Sequence, residues 1–412
     1  MYDMLITSVN LYLGKGEVLI GRDVAVLDGR IAAILPGESH MEAKEYLDAA
    51  NKLMVPSFMD THMHIDKAFT MKDDNTVSLI YACSNSERMS SFYYDWTEEE
   101  IYDEICAHSE KIVQWCIKNG TTKLKTNVLF TPTWRTIALD AMMALKKKYK
   151  NYCDVLNVVS FPVEYRTELL QAARDGKVDF VGGYPHLMPD YKADTDDCFE
   201  LAKEFGLPLD LHCDESDVID LNCFRYIIDQ TNKYGFQGHV TCGHVTGLNA
   251  TNMPEEMAID AIKAAAQADV SVTSLTSCNM YLMNSTRRGP TRVRQLLDAG
   301  VNVAVASDNV RDTFRPFGNC DLLEEALLTA KVHKFGSASD LRRVMDLVTY
   351  NAAKNAEAPD YGLREGCYAD FNIFDATLPE EAIINQSEKL YVFRNGKIIA
   401  KSGEIIESYL CS

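Results

Sequence analysis

Residues 59–67 read MDTHMHIDK, two histidines one residue apart, followed by an acid and a base. A β-strand points residues i and i+2 to the same side, so His62 and His64 can bring two imidazoles to one ion. The same spacing suits two polar residues on one exposed strand face, and the stretch alone leaves both readings open. The residues just before it, VPSF at 55–58, are apolar and read as a buried strand. Histidines there need partners, because a buried polar group without one is costly.

Working outward, short apolar runs recur along the chain: KLMVPSFMD (52–60), TKLKTNVLF (122–130), VLNVVSFP (155–162), DFVGGYP (179–185), LPLDLHC (207–213), HVTCGH (239–244), VSVTSLT (270–276) and VNVAVASD (301–308). Longer amphipathic segments fill the gaps, which indicates parallel β/α units. One of them, TEEEIYDEICAHSEKIVQWCIKNG (97–120), opens on a capping-box pair, Thr97 with Glu100, and stops at Gly120. Eight such strands predict a (β/α)8 TIM barrel of α/β class. An open doubly wound sheet would more often carry a glycine-rich phosphate loop after its first strand, and none is present. At both ends the pattern changes to short β runs with turn signals, including an Asn395-Gly396 hairpin. The expected organisation is a small β-sandwich domain formed by residues 1–55 and 363–412, around a metal-dependent barrel of residues 56–362.

The 412 residues are 47% hydrophobic, enough for a large core. A formal net charge of −19 argues against a nucleic-acid partner, since phosphates would be repelled. The longest basic run, KKKYK at 146–150, reads as a helix C-terminus complementing the dipole. Twelve cysteines are scattered singly with no CxxC pair, which fits reduced thiols rather than a disulfide framework. MYDMLITSVN lacks the basic region and sustained apolar run of a signal peptide, and no stretch is long enough to span a membrane. The expectation is a soluble cytoplasmic protein acting on a small molecule, without membrane or nucleic-acid partners; a homo-oligomer is left open.

In a barrel the active site lies at the C-terminal ends of the strands, so what each strand ends with carries the chemistry. Strand one ends in His62 and His64, strand five in His212-Cys213-Asp214-Glu215, strand six in His244 and strand eight in Asp308. Three histidines and a carboxylate make a nitrogen-and-oxygen set suited to Zn²⁺ or Fe²⁺ with a position left for water. Glu215 is placed to lean over such a pocket, whereas Asp214 equally suits a helix N-terminus. His186 follows strand four; His40, His108, His239 and His333 join no constellation. Phe69, Phe92, Tyr93, Tyr94 and Trp96 are expected to wall the pocket for a flat ring.

These residues resemble the amidohydrolase superfamily and, within it, the cytosine deaminase group. The matching motifs are VPSFMDTHMHID, VVSFPVE, DFVGGYPH, LDLHCDES, HVTCGH, TRRGPTRVRQLLDAGVNVAVASDNVRD and ADFNIFDA with VFRNGKIIA, in the family's order over nearly the whole chain. The resemblance implies one divalent ion per chain, Zn²⁺ or Fe²⁺, held by His62, His64, His212 and Asp308. It implies that Asp308 also accepts the proton of the attacking water and that Glu215 protonates a ring nitrogen. His244 would hydrogen-bond the water or the oxyanion that forms from it. Binuclear relatives use a lysine on strand four, and DFVGGYP offers none.

Departures from the group bear on the substrate, whose pocket is expected to include Lys67, Val163, Glu164, His186, Asn309 and Phe314. FPVE stands where cytosine deaminases resemble FPQE, so Val163 replaces an amide that would pair with the pyrimidine edge, and cytosine becomes a poor candidate. Asn127 replaces a strand-two histidine, and Asn309 follows Asp308 where a second aspartate is usual. Lys67 resembles relatives acting on oxidised triazines, where a cation favours a carbonyl-bearing ring; a salt bridge to Asp66 is its other reading. The function expected is a metal-dependent aminohydrolase removing an amino or alkylamino group from a small nitrogen heterocycle. A hydrolase opening a cyclic amide or imide, and a non-catalytic binding barrel, are the alternatives; the last predicts gaps in the ligand set.

Overall fold

The computed structural model describes residues 1–71, 95–215, 219–282 and 289–410. Phe92, Tyr93 and Tyr94, expected in the pocket wall, lie outside the described residues. Four strands come first: β1 (Tyr2–Gly14), β2 (Glu17–Leu27), β3 (Arg30–Pro36) and β4 (Ala43–Pro56). The next four are β5 (Phe58–Met63), β6 (Thr121–Val128), β7 (Asp154–Val159) and β8 (Phe180–Gly183). After these run β9 (Leu209–Cys213), β10 (Val240–His244), β11 (Ser271–Ser274) and β12 (Val303–Val305). The last are β13 (Phe371–Phe374), β14 (Lys389–Arg394), β15 (Lys397–Lys401) and β16 (Glu404–Ile405).

Strands β5 to β12 pair in sequence order, all parallel, with helices between them. The circle closes where the Asp308 amide donates to the His62 carbonyl at 2.9 Å. The fold is a TIM barrel, and its closing hydrogen bond joins two residues of the expected site. Helix Glu98–Lys118 covers β5 and β6 with Ile101, Ile105, Ile112, Val113 and Cys116 buried. Its capping box forms as expected: Thr97 Oγ1 accepts from the Glu100 amide at 3.2 Å, and the Glu100 carboxylate accepts from the Thr97 amide at 2.7 Å.

The other eight strands form a mixed sheet from both termini, in the order β16-β15-β14-β13-β4-β1-β2-β3, continuous from edge to edge. It has its own small core, including Ile6, Leu11, Val24, Met54, Phe371 and Phe393. At the β14–β15 turn both Asn395 and Gly396 have positive φ, 48° and 72°, the conformation such a two-residue hairpin demands. The run 52–60, expected as one strand, is divided between the two sheets. Pro56 has no amide hydrogen and ends β4; Ser57 still donates to Asp370 in the terminal sheet, whereas Phe58 donates to Gly120 beside the barrel. Strand seven is shorter than expected, because Thr276–Leu282 turns into a helix. The described cysteines are all free thiols, and no helix among the described residues is long and apolar enough to cross a membrane.

Candidate active site

His62, His64, His212 and Asp308, drawn from three separate strand ends, meet at the C-terminal mouth of the barrel. All four are buried. His62 Nε2 lies 3.1 Å from His212 Nε2, which lies 3.3 Å from His64 Nε2. Asp308 Oδ1 stands 3.5 Å from His64 Nε2 and 3.9 Å from His62 Nε2. Burial, with Lys67 and the other rings adding to it, pushes His64 well below the usual histidine range; burial followed by the neighbouring rings does the same to His212. Neutral imidazoles therefore turn lone pairs toward one point, and neither Asp308 oxygen has a hydrogen-bond donor. Without a cation such an arrangement is repulsive and leaves a buried carboxylate unsatisfied. Tetrahedral coordination with metal–nitrogen bonds of about 2.0–2.1 Å places ligand nitrogens about 3.3 Å apart, close to the observed separations. These residues fit a divalent metal ion.

What positions them lies one layer below. Asp210, two residues before His212 and on the same strand face, has Oδ1 3.7 Å from His62 Nδ1, facing it just beyond hydrogen-bond range; a hydrogen on Nδ1 suits that charge and would keep Nε2 free for the metal. Burial raises the Asp210 carboxyl, but Lys125 and His62 outweigh it and hold it below the usual range. Lys125, on β6, pairs with Asp210 and donates to the Asn355 carbonyl at 3.0 Å. Gly243 admits the His62 ring: a Cβ there would meet His62 Cε1 at 2.9 Å. His244 and Asp308 both adopt left-handed backbone, with φ of 68° and 60°. Non-glycine residues held so cost on the order of 1–3 kcal/mol and concentrate at functional sites.

A cavity of about 380 Å³ opens above the metal residues, lined in part by Lys67, Tyr184, His186, Glu215, Asn309 and Phe314. Glu215 Oε1 is 3.4 Å from His244 Nδ1. Lys67 does not pair with Asp66 through its side chain; its ammonium lies 3.6 Å from Asp312 Oδ2 and 3.8 Å from the centre of the Phe314 ring. Asp312 also accepts from Asn309 at 2.6 Å and from the Phe314 and Arg315 amides, so one carboxylate arranges this whole wall. His186 Nδ1 is 3.0 Å from the His212 carbonyl, which can only accept, and so carries the ring hydrogen.

Val163 and Glu164 are placed differently from expectation. After β7 the chain makes a single outward turn, Val163–Tyr165, which leaves Val163 86% exposed and Glu164 exposed. Both line a neighbouring cleft, not the cavity above the histidines. Valine at this position is therefore not placed to reject cytosine in that cavity. Asn127 is buried but does not line the cavity. Phe69 packs on His108 and Trp115, away from the site, and Trp96 is exposed. Sequence reading missed Asp210, Lys125, Asp312, Tyr184 and Asn279. The first was within reach, since LDLHC places Asp210 two residues before His212 and hence on the same face.

With this geometry in place, comparison with known proteins is decisive at the family level. The model of the amidohydrolase family matches residues 165–400, more than half of the chain. The chain belongs to the amidohydrolase family. This amidohydrolase is 28% identical to N-isopropylammelide isopropyl amidohydrolase of Pseudomonas sp. (strain ADP), over 98% of its own length and 99% of the relative's. It is 26% identical to the pterin deaminase of Rhizobium rhizogenes, over 96% and 92% respectively. Its fold matches the crystal structure of 5-methylcytosine deaminase from Klebsiella pneumoniae with a TM-score of 0.86, at 24% identity and 97% coverage of each chain. It is an enzyme acting on carbon–nitrogen bonds by hydrolysis.

Proposed function

We propose that this amidohydrolase removes an amino or alkylamino group from a small, flat, carbonyl-bearing nitrogen heterocycle. One observation supports the reading: a carboxylate, Glu215, lines the same ring-sized cavity as His64, His212 and Asp308, beside two overlapping groups of potential metal ligands, His62–His64–Asp308 and His62–His212–His244. The names of the two relatives, one referring to N-isopropylammelide and one to pterin, support the same substrate class.

His62, His64, His212 and Asp308 would hold one divalent ion, Zn²⁺ or Fe²⁺. Such an ion lowers the pKa of a coordinated water toward neutrality and so supplies the nucleophile. A single ion is favoured because β8 carries no lysine and the buried Lys125 is already paired with Asp210. Asp308 takes the proton of the attacking water. Glu215 delivers a proton to the ring nitrogen beside the attacked carbon, and His244 hydrogen-bonds the oxygen that develops charge. Lys67, seated on Phe314, faces the ring's carbonyl edge and favours substrates with oxo or ionised imide groups. Asp308 returns its proton to the leaving nitrogen, and collapse of the tetrahedral carbon to a carbonyl expels ammonia or an amine, the hydroxyl proton restoring Glu215.

The test is product analysis over aminotriazines, aminopyrimidines including cytosine, pterins and cyclic amides with metal-loaded protein. Amine release with the ring intact supports the proposal. Ring opening without amine release, or no turnover of any member, overturns it.

A further inference from the structure

Asn279 is absent from every motif that marked the site, yet it touches two of the proposed catalytic side chains. It sits on the short helix Thr276–Leu282 that follows β11, and it is only 1% exposed. Its Nδ2 lies 3.0 Å from Glu215 Oε1 and 3.1 Å from His244 Nδ1, while its Oδ1 lies 3.4 Å from the same histidine nitrogen. One amide thus bridges residues from the ends of β9 and β10.

The chemistry of the three groups orders these contacts. A carboxylate only accepts, so the amide must turn its nitrogen, with two hydrogens, toward Glu215. The second hydrogen then points to His244 Nδ1, which is nearer to Nδ2 than to Oδ1. A ring nitrogen that accepts carries no hydrogen, and in a neutral imidazole the hydrogen moves to the other nitrogen.

We propose that Asn279 is a positioning residue that donates to both Glu215 and His244 Nδ1, and so fixes the His244 hydrogen on Nε2. The consequence is a division of labour. His244 has a ring nitrogen within 4.8 Å of those of His62 and His212, and by distance alone it qualifies as another ligand. With hydrogen on Nε2 it cannot ligate a metal or accept a proton through that atom; it can only donate to the oxygen developing charge. Base chemistry is left to Asp308, and the shared amide holds Glu215 beside His244, with Glu215 Oε1 3.4 Å from His244 Nδ1.

The inference rests on the proposed function for its kinetic consequence but not for its structural one. Zn²⁺-loaded, full-length protein carrying ¹⁵N-labelled histidine reports the position of each ring hydrogen by NMR, with His244 assigned from its loss in His244→Gln. Hydrogen on Nε2 is expected in the unaltered protein. In Asn279→Leu, of similar size and without a donor, Nδ1 is left facing Glu215 Oε1 at 3.4 Å, so the hydrogen should move to Nδ1. Loss of the donor should then lower kcat about 100-fold, the effect of removing one oxyanion donor, with KM and metal content nearly unchanged. Asn279→Ala, which also removes both donations, should shift the His244 tautomer the same way and serves if the leucine variant does not fold. Hydrogen on Nδ1 in the unaltered protein, or Asn279→Leu with Nε2 still protonated and kcat intact, overturns the inference. An unaltered protein that turns over no heterocycle sinks the proposed function alone and leaves the tautomer result standing.

Discussion

Lys125 and Asp210 form an ion pair in the floor of the barrel, with both side chains fully shielded from solvent. Above it, the other Asp210 oxygen faces His62 Nδ1, so the pair forms a column from the barrel interior to the proposed metal. Removing one partner of a buried pair leaves an uncompensated charge. Lys125→Met should therefore destabilise the fold by about 3–5 kcal/mol, read as a shift in the urea midpoint. Without Lys125 the buried Asp210 carboxyl is raised and faces His62 less well as a carboxylate, so metal binding should also weaken, by up to the about 10–100-fold expected when a carboxylate that orients a ligand histidine is lost. The double change Lys125→Met, Asp210→Asn should recover part of the stability and none of the metal affinity. If both recover together, Asp210 has no orienting role.

The ligand set predicts a metal content near one equivalent per chain, measurable by elemental analysis of purified protein. Chelation should abolish turnover, and Zn²⁺ or Fe²⁺ should restore it. His212→Ala should lose both metal and activity, since His212 stands between His62 and His64. Undiminished turnover by metal-free protein would contradict the ligand assignment.

Glu215→Gln keeps size and the hydrogen bond from Asn279 but removes the transferable proton. A loss of about 10²–10⁴ in kcat is expected, the range typical of a positioned acid or base, with metal content unchanged. Parallel loss of metal would instead make Glu215 a ligand.

Much of this site was legible because strand periodicity forces it. His62 and His64 share a face, and apolar runs ending in His212, His244 and Asp308 carry those side chains to one rim whatever the details of packing. Lys67 was legible as a residue of the cavity but not its partner, because Asp312 reaches it from a loop after the last barrel strand. The same limit explains Val163. The strand before it was correctly placed, but whether a residue past a strand end faces in or out depends on one turn of backbone that no periodicity records. Asn279 was illegible for a related reason, since the run VSVTSLT gave no sign that a helix begins at Thr276. Boundaries between sheets were obscured too, because apolar residues, 53–55 and 58–59, flank Ser57 on both sides where the chain passes from one to the other.

Lys67 contributes a charge-assisted contact if the substrate presents a carbonyl or ionised imide. Lys67→Gln should then lower kcat/KM about 10–100-fold for such rings, following from roughly 1.5–3 kcal/mol for a hydrogen bond to a charged group. Rings lacking oxo groups should be affected far less. Equal losses for both classes would mean that Lys67 only supports Phe314 and Asp312.

Stability should fall on mild acidification through His333, at the C-terminal end of helix Leu322–Val332 and remote from the metal residues. Burial, with a contribution from Arg294, pushes its pKa down to about 4 from an ordinary 6.5. The folded state therefore disfavours the charged ring, and between these two values the unfolded chain binds more protons. Stability must then drop as pH falls from about 6.5 toward 4, and near pH 5 the loss from this group is about 2 kcal/mol. At pH 7.5 the group is neutral in both states and contributes nothing to the slope. Replacing His333 with Gln removes the titration, so the difference in urea midpoint between pH 7.5 and pH 5 should shrink relative to the unaltered protein. An identical pH dependence in the two proteins would show that His333 keeps an ordinary pKa in the folded state.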